Sequence, residues 1–456
     1  MSSKIPIPVL KLIKKFQENK LEIYAVGGAV RGFILGKKIQ DWDFTTKATP
    51  EKIQKLFPKN SFYHNKFGTV TITQKPYLFE ITTFRKEFNY TDKRHPDKII
   101  WGKTLSQDLS RREFTVSAIV LKITNINLKE NAFKTEVIDP YGGQKDLKNK
   151  VLRTVGNPDE RIAEDALRMM RAVRIASQLG LVIENKTFAA IKKNAKQIKK
   201  IAWERIKQEL FKILASPHPA EGILVLYNAG LLKYILPELI TGRGVAQAKH
   251  HVDDVWNHSL KSLQYCSSKD PVVRLATLLH DVGKPLVAQG EGEERTFYNH
   301  EVIGARVAKK IGRRLRLSNK ELDKLYRLVR HHQFTLNEKQ TDKAFRRFIK
   351  RVTKPYIKDM LDLRIGDRLG GGARETSWRL ELFKKRLVEV QKQPFSLKDL
   401  KVNGQDVMKV LKIKPGPKVG QVLNGLFALV EEDKDKNTRK YLLSQIPKIA
   451  KKTTTS

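Results

Sequence analysis

AVGGAVRGFILGKKIQDWDFTTKATP, residues 25–50, sets two glycines and an arginine a short way ahead of an Asp-Trp-Asp triplet. In a strand, side chains at i and i+2 leave the same face, so Asp41 and Asp43 point together while Trp42 turns into a core. Neighbouring carboxylates repel unless a cation lies between them, and Mg2+ takes such oxygen ligands together with substrate phosphates. A two-metal phosphoryl or nucleotidyl transfer centre has this arrangement. Upstream, Gly27 and Gly28 can bring backbone N–H groups close to a triphosphate at a helix start, with Arg31 as a charge-assisted donor. Taken alone, Asp-x-Asp is also what a solvated strand end looks like.

Around this stretch the first 150 residues read as mixed α/β. Helical apolar spacing over 8–20 (Val9, Leu10, Leu12, Ile13, Phe16) is followed by EIYAVGG, a buried strand running into a glycine turn. VRGFILG reads as a short helix, DWDFTT as a strand, and TPEKIQKLF as a helix capped by Thr49 with Pro50 at its first position. GTVTIT and YLFEITTF alternate as paired strands do. From about 158 to 380 the period is almost wholly helical, punctuated near SPHPAEG, AQGEGEE and GGGAR. From 395 onward, helix–turn–helix pieces joined by Gly and Pro end in a lysine-rich tail expected to fray.

The chain has 456 residues, enough for two to four domains. Its 89 Lys and Arg against 48 Asp and Glu give a net charge of +41, far beyond what solubility requires, and point to a polyanionic partner. A single cysteine, Cys266, excludes an intramolecular disulfide and suits a reducing cytoplasm. No apolar run approaches the roughly 20 residues of a membrane span, and the start offers no cleavable leader.

In RIAEDALRMMRAVRIASQLG, Leu167, Met170 and Val173 can face a core while Asp165 and Arg168, three apart, share another helix face. A carboxylate only accepts hydrogen bonds and a guanidinium only donates them. Such a pair satisfies the pairing edge of cytosine or adenine and leaves uracil and guanine mismatched. A surface salt bridge is the plainer alternative. Arg171 and Arg174 continue a basic stripe suited to triphosphate or RNA. In RREFT, Arg111 and Arg112 beside Glu113 can hold phosphate and ribose, or form a surface ion-pair cluster.

The joint pattern G-G-A-V-R, D-W-D-F-T-T and T-P-E-K resembles the head motif of the class II tRNA nucleotidyltransferase (CCA-adding enzyme) and bacterial poly(A) polymerase family. The likeness continues through KFGTV, EITTFR, YTDKRHPDKIIWGKTLSQDLSRREFT, DPYGG and the E-D-x-x-R element formed by Glu164, Asp165 and Arg168. The resemblance implies an α+β chain: a polymerase-β-like head with a mixed sheet over 1–150, a helical neck over 151–235, an HD-type helical body over 236–390 and a helical tRNA-binding tail over 391–456. It implies Mg2+ on Asp41 and Asp43, with Glu80 as a third carboxylate or an exposed strand glutamate. It places the nucleotide on Gly27, Gly28, Arg31, Asp108, Arg111, Arg112, Asp165, Arg168, Arg171 and Arg174. Arg205, in AWERIKQEL, is a neck candidate. Where the family commonly has Asp and Asn in R-R-D-F-T-x-N-A, this chain has Glu113 and Ser117.

The same resemblance implies addition of CCA to tRNA from CTP and ATP, with a segment near 85–108 as the lever that changes base preference. A-only addition and poly(A) synthesis are the near alternatives, and an HD phosphohydrolase with an RNA-binding head is the distant one. LLHDVGKP resembles the HD metal-dependent phosphohydrolase superfamily. His258, His280, Asp281 and Asp367 are then the implied ligands of a divalent ion, with His300 and His331 as alternatives.

Overall fold

The computed structural model describes residues 5–37, 39, 41–63, 67–88, 90, 97–247, 253–334, 340–391 and 397–452. Part of the stretch read as a lever, residues 89 and 91–96, lies outside them, as do His250, His251 and the last four residues. The chain divides into two compact units, 1–241 with 311–317, and 242–310 with 318–456. The sequence-based head and neck both fall within the first, and the HD-type body and tail fall mainly within the second.

In the first unit, strands β1 (Ile23–Val26), β2 (Trp42–Thr46), β3 (Ser61–Tyr63), β4 (Thr69–Gln74) and β5 (Tyr77–Thr83) are followed by β6 (Arg85–Phe88), β7 (Lys98–Trp101), β8 (Val120–Asn127) and β9 (Ala132–Ile138). The main sheet runs β3-β4-β5-β2-β1-β8-β9, and β6 pairs with β7 separately. Parallel pairing of β2 with β5, against antiparallel neighbours elsewhere, makes the sheet mixed. Alternation along β2 buries Trp42 and Phe44 and leaves Asp43 exposed, as the pleat requires. The amphipathic helix Ile7–Glu18 buries Val9, Leu10, Leu12, Ile13 and Phe16. Thr49 caps helix Pro50–Leu56 through the Lys52 N–H, which closes the crossover into β3.

Short helix Leu105–Ser110 is pinned by Leu109, which packs with Tyr24, Val26, Phe84 and Val120. The loop that follows it is thereby fixed against the sheet. Beyond the sheet, helices Pro158–Glu164, Leu167–Leu179 and Trp203–Leu214 follow, with one short parallel strand pair, Val151–Leu152 with Val182–Ile183, among them.

The second unit is built from helices, including Val255–Tyr265, Pro271–Leu279, Asn319–His331 and Ile357–Gly370. Two close approaches organise it. A Cβ on Gly366 would lie 2.7 Å from the Ser262 carbonyl oxygen, so helix Ile357–Gly370 can lie directly on Val255–Tyr265. A Cβ on Gly283 would collide with the His300 carbonyl and lie 2.6 Å from the Gly304 nitrogen, so the turn after His280 sits against the first turn of helix His300–Arg314. The carboxy-terminal helices Gly404–Leu411, Pro417–Glu432 and Arg439–Lys452 enclose a core of their own around Val407, Val422, Leu426, Leu442 and Ile446. Among the described residues no helix is long and apolar enough to cross a membrane.

Candidate functional site

A cavity of about 640 Å³ opens in the first unit, and Asp41, Asp43, Arg31, Arg112, Asp165 and Arg168 are among the side chains on its wall. Each arrives there for a local reason. Gly27 has φ +72°, a backbone conformation that favours glycine, and a Cβ there would stand 3.7 Å from an Asp43 carboxylate oxygen. The chain therefore turns from β1 into helix Gly28–Ile34 right beside the acidic strand. Asp43 is level with Val26 of β1 and with Glu80 of β5. Glu80 is exposed on that neighbouring strand. Desolvation by the surrounding cavity wall first, then the Glu80 and Asp41 charges, push the solvent-accessible Asp43 carboxyl up to about 6, against the pull of Arg112 and Arg31. Excess negative charge here is what a divalent cation would relieve.

Opposite, Arg31 donates to Ser117 Oγ at 3.0 Å. Burial, followed by repulsion from Arg174, lowers its pKa to about 10. Ser117, one of the two departures from the family pattern, thus holds an arginine of the cavity. Glu113, the other, accepts from Arg171 Nη2 at 2.7 Å. Arg174 is committed to Glu209 of helix Trp203–Leu214 at 2.6 Å.

Asp108 does not reach the cavity surface. It is fully buried beneath two arginines, accepting from Arg111 Nε at 2.9 Å, Arg112 Nη2 at 3.1 Å and Thr45 Oγ1 at 3.0 Å. It orients Arg111 and Arg112, both of which line the cavity. Buried carboxylates of this kind are tolerated because every charge is paired.

The Asp165–Arg168 pair is also built differently from the expected single helix face. Asp165 has extended dihedrals, φ −134° and ψ 112°, and terminates helix Pro158–Glu164. Its carboxylate accepts the Leu167 N–H at 2.9 Å, starting the next helix, Leu167–Leu179. Arg168 donates to the Arg161 carbonyl at 2.8 Å and pairs with Glu164. Asp165 and Arg168 nonetheless reach the same cavity. Burial raises the Asp165 pKa, opposed by its bond to Leu167 and by Arg205.

Three groups not singled out from the sequence complete the wall. Glu87 of β6 accepts from Arg111 at 3.0 Å and Arg85 at 2.6 Å, and also from the Tyr90 hydroxyl. The Tyr90 ring lies 5.9 Å from the Arg168 guanidinium carbon. All three belong to the stretch read as a lever, and their helix-distant partners carry no local spacing signal.

The family models carry the assignment. The Poly A polymerase head domain matches residues 23–153, the probable RNA and SrmB-binding site of polymerase A matches 180–241, and the HD domain matches 255–369. With these three matches the chain is similar to tRNA nucleotidyltransferases and poly(A) polymerases. Among family members, the CCA-adding enzyme of Geobacillus kaustophilus is 40% identical over 226 residues, 50% of this chain and 54% of that protein. That of Ligilactobacillus salivarius is 43% identical over 225 residues, 49% and 53% respectively. The chain thus spans about half the length of the curated relatives it matches. The Bacillus stearothermophilus CCA-adding enzyme, solved in complex with CTP, is 26% identical, with a TM-score of 0.71 over 98% of both chains. Nucleotidyltransferase and HD domains of this family typically use divalent metals.

In the second unit His258, His280, Asp281 and Asp367 do converge. His258 Nε2 lies 3.2 Å from Asp367 Oδ1, and His280 Nε2 lies 3.2 Å from Asp281 Oδ2. His300 joins them, at 3.3 Å from Asp281 Oδ1. The second alternative does not: His332, not His331, is the buried ring that turns toward Asp281. Burial works against charge on His280, but Asp281 and Asp367 override it and lift its pKa to about 10.

Proposed function

We propose that this chain adds CCA, without a nucleic-acid template, to the 3′ end of tRNA from CTP and ATP. The observation that carries this reading is that Asp165 and Arg168 share one cavity wall with Asp41 and Asp43. A nucleotide whose phosphates lie near Asp41 and Asp43 can present its base to an acceptor and a donor. Cytosine and adenine each satisfy that pair, whereas uracil and guanine leave buried groups unpaired, a difference worth about 10⁴ to 10⁵ in selectivity. Asp41 and Asp43, with Glu80 level with Asp43, are the residues that would hold Mg2+. When bound, the ions lower the charge barrier between the RNA 3′-hydroxyl and the triphosphate.

The protein's own groups do the rest. Arg111 and Arg112, fixed by Asp108, face the triphosphate as hydrogen-bond donors, and Arg31 supplements them beside Gly28. Affinity for tRNA comes from phosphate contacts to the +41 chain and from the shape of the folded RNA. The HD-type body and tail are proposed as the domains over 236–390 and 391–456, after a head over 1–150 and a neck over 151–235.

Purified protein with Mg2+ is offered a tRNA ending before CCA, one ending in CC, and an oligo(A) primer, each with CTP, ATP or both. Three-nucleotide extension of the first, abolished by Asp43→Ala, is the expected result. Extension of only the CC-ended tRNA would reassign the protein to A addition. Long A tracts on oligo(A), with indifference to CTP, would make it a poly(A) polymerase.

A further inference from the structure

The sheet face that carries Asp43 continues past the acidic residues. Asp43 of β2 is level with Glu80 of β5, Glu80 with Thr71 of β4, and Thr71 with Phe62 of β3. Residues directly opposite on paired strands share a face, so these four form one row across the sheet. Leu78, two residues before Glu80, leaves the same face with Thr73 opposite it. The other face is the buried one, holding Phe44, Val70, Ile72, Phe79 and Ile81. On the open face Phe62 is 63% exposed and Leu78 62%. Two large apolar side chains thus stand in water on two sides of Glu80, ~7 Å away along β5 and ~10 Å away across the sheet.

Their place relative to the nucleotide cavity gives them a side. On these strands the cavity wall is Thr69 of β4, which is level with Thr82 of β5. Along β5 the open face therefore runs Thr82, Glu80, Leu78 from the cavity outward, and neither Leu78 nor Phe62 lines the cavity. In transfer at phosphorus the attacking and leaving oxygens lie roughly in line. With the triphosphate in the cavity, the attacking RNA hydroxyl comes from beyond the carboxylates, across Leu78 and Phe62.

The chemistry of this patch suits a base and not a phosphate. In a chain with 89 Lys and Arg, the face positions Phe62, Thr71, Thr73 and Leu78 are all uncharged. Every nucleobase has a π-face that stacks on an aromatic ring, whatever its pairing edge. Such a surface tolerates an RNA end whose last base changes with each addition. We propose that Phe62 and Leu78 form the platform for the 3′-terminal base of the acceptor RNA, the Phe62 ring stacking on that base and Leu78 packing beside it. This rests on the reading that Asp41 and Asp43 serve nucleotidyl transfer to RNA. Phe62 takes no part in bond making; it holds the base so that the 3′-hydroxyl stays at the carboxylates.

The probe is an RNA hairpin shaped as a tRNA acceptor stem, with 2-aminopurine as its 3′-terminal base, titrated with the full chain in the absence of nucleotide. Stacking should quench the fluorescence of the bound RNA. Phe62→Ala should lose most of the quench, Phe62→Tyr should restore it, and Leu78→Ala should lose part of it. In extension with CTP, Phe62→Ala should raise KM for the RNA about 10-fold and leave KM for CTP in place. A hairpin lacking its last base should raise KM about 10-fold with the wild type and no further with Phe62→Ala, because both changes remove the same contact. Circular dichroism checks that Phe62→Ala is folded; should it not be, Leu78→Ala and the hairpin without its last base decide. Extension by the wild type, with quench and KM unchanged in Phe62→Ala, would overturn the platform and leave the nucleotidyl-transfer reading standing. A Phe62-dependent quench without any extension would do the reverse. Self-association lost in Phe62→Ala, with the RNA signals unchanged, would make the patch a contact between copies of the chain and overturn the platform.

Discussion

Arg111 grips one oxygen of the Asp108 carboxylate with two of its nitrogens, at 2.9 and 2.6 Å, while the other oxygen takes Arg112 and Thr45. The surrounding arginines hold the Asp108 pKa below the ordinary carboxylate value in spite of burial. Removing the carboxylate takes a counter-charge from each of two largely buried guanidinium groups, though Arg111 keeps its pair with Glu87. Asp108→Ala should lower unfolding stability by roughly 3 kcal/mol, read from urea denaturation. It should also weaken nucleotide binding in the fraction that folds, because the arginines lose their orientation.

Asp165→Asn keeps the shape of the side chain but turns an obligate acceptor into an amide that also donates. A uracil carbonyl then finds a donor where it met a carboxylate. UTP incorporation at a tRNA 3′ end should rise about 100-fold relative to CTP, measured by single-nucleotide extension. Unchanged discrimination would show that Asp165 serves only to start helix Leu167–Leu179.

Gly283→Ala acts on packing. The added methyl meets the His300 carbonyl and the Gly304 backbone, neither of which is a flexible side-chain end. The turn carrying Asp281 must move from the helix carrying His300, at a cost of about 1–3 kcal/mol. Calorimetric unfolding should show the loss in the transition of the second unit. The stoichiometry of added divalent metal bound by that unit, measured after desalting, should fall with it.

The strand alternation around Trp42 was legible because a period of two leaves no choice of face once one large aromatic must be buried. The break at Asp165 was not, because EDALR contains neither Gly nor Pro and its helical spacing is continuous. The signal present was weaker: an aspartate can cap a new helix through its own carboxylate, as it does toward Leu167. The choice between His331 and His332 was also available. Leu325, Leu328 and Val329 are the buried residues of their helix, and 332 lies seven, four and three positions beyond them, which puts it on the same face. Glu87 and Tyr90 had no such marker, since their partners Arg111 and Arg168 are brought in by tertiary packing alone.

Asp43 provides a pH-dependent test of the acidic site. Its folded-state pKa of about 6 lies above the ordinary carboxylate value of 3.8. A raised carboxyl favours the fold fully only below the unfolded value, and that contribution is lost as pH climbs through about 6. In chelator-treated protein at pH 8, the ionised group therefore opposes folding, although its solvent exposure screens part of the effect. Asp43→Asn should raise the thermal midpoint at pH 8 and progressively less as pH falls from 7 toward 4. Added Mg2+ should stabilise the wild-type chain at pH 8 and leave the variant little changed, because the ion satisfies the charge that the substitution removes. A wild-type midpoint indifferent to Mg2+ at pH 8, with no gain from Asp43→Asn, would mean that Asp41, Asp43 and Glu80 do not act together on a cation.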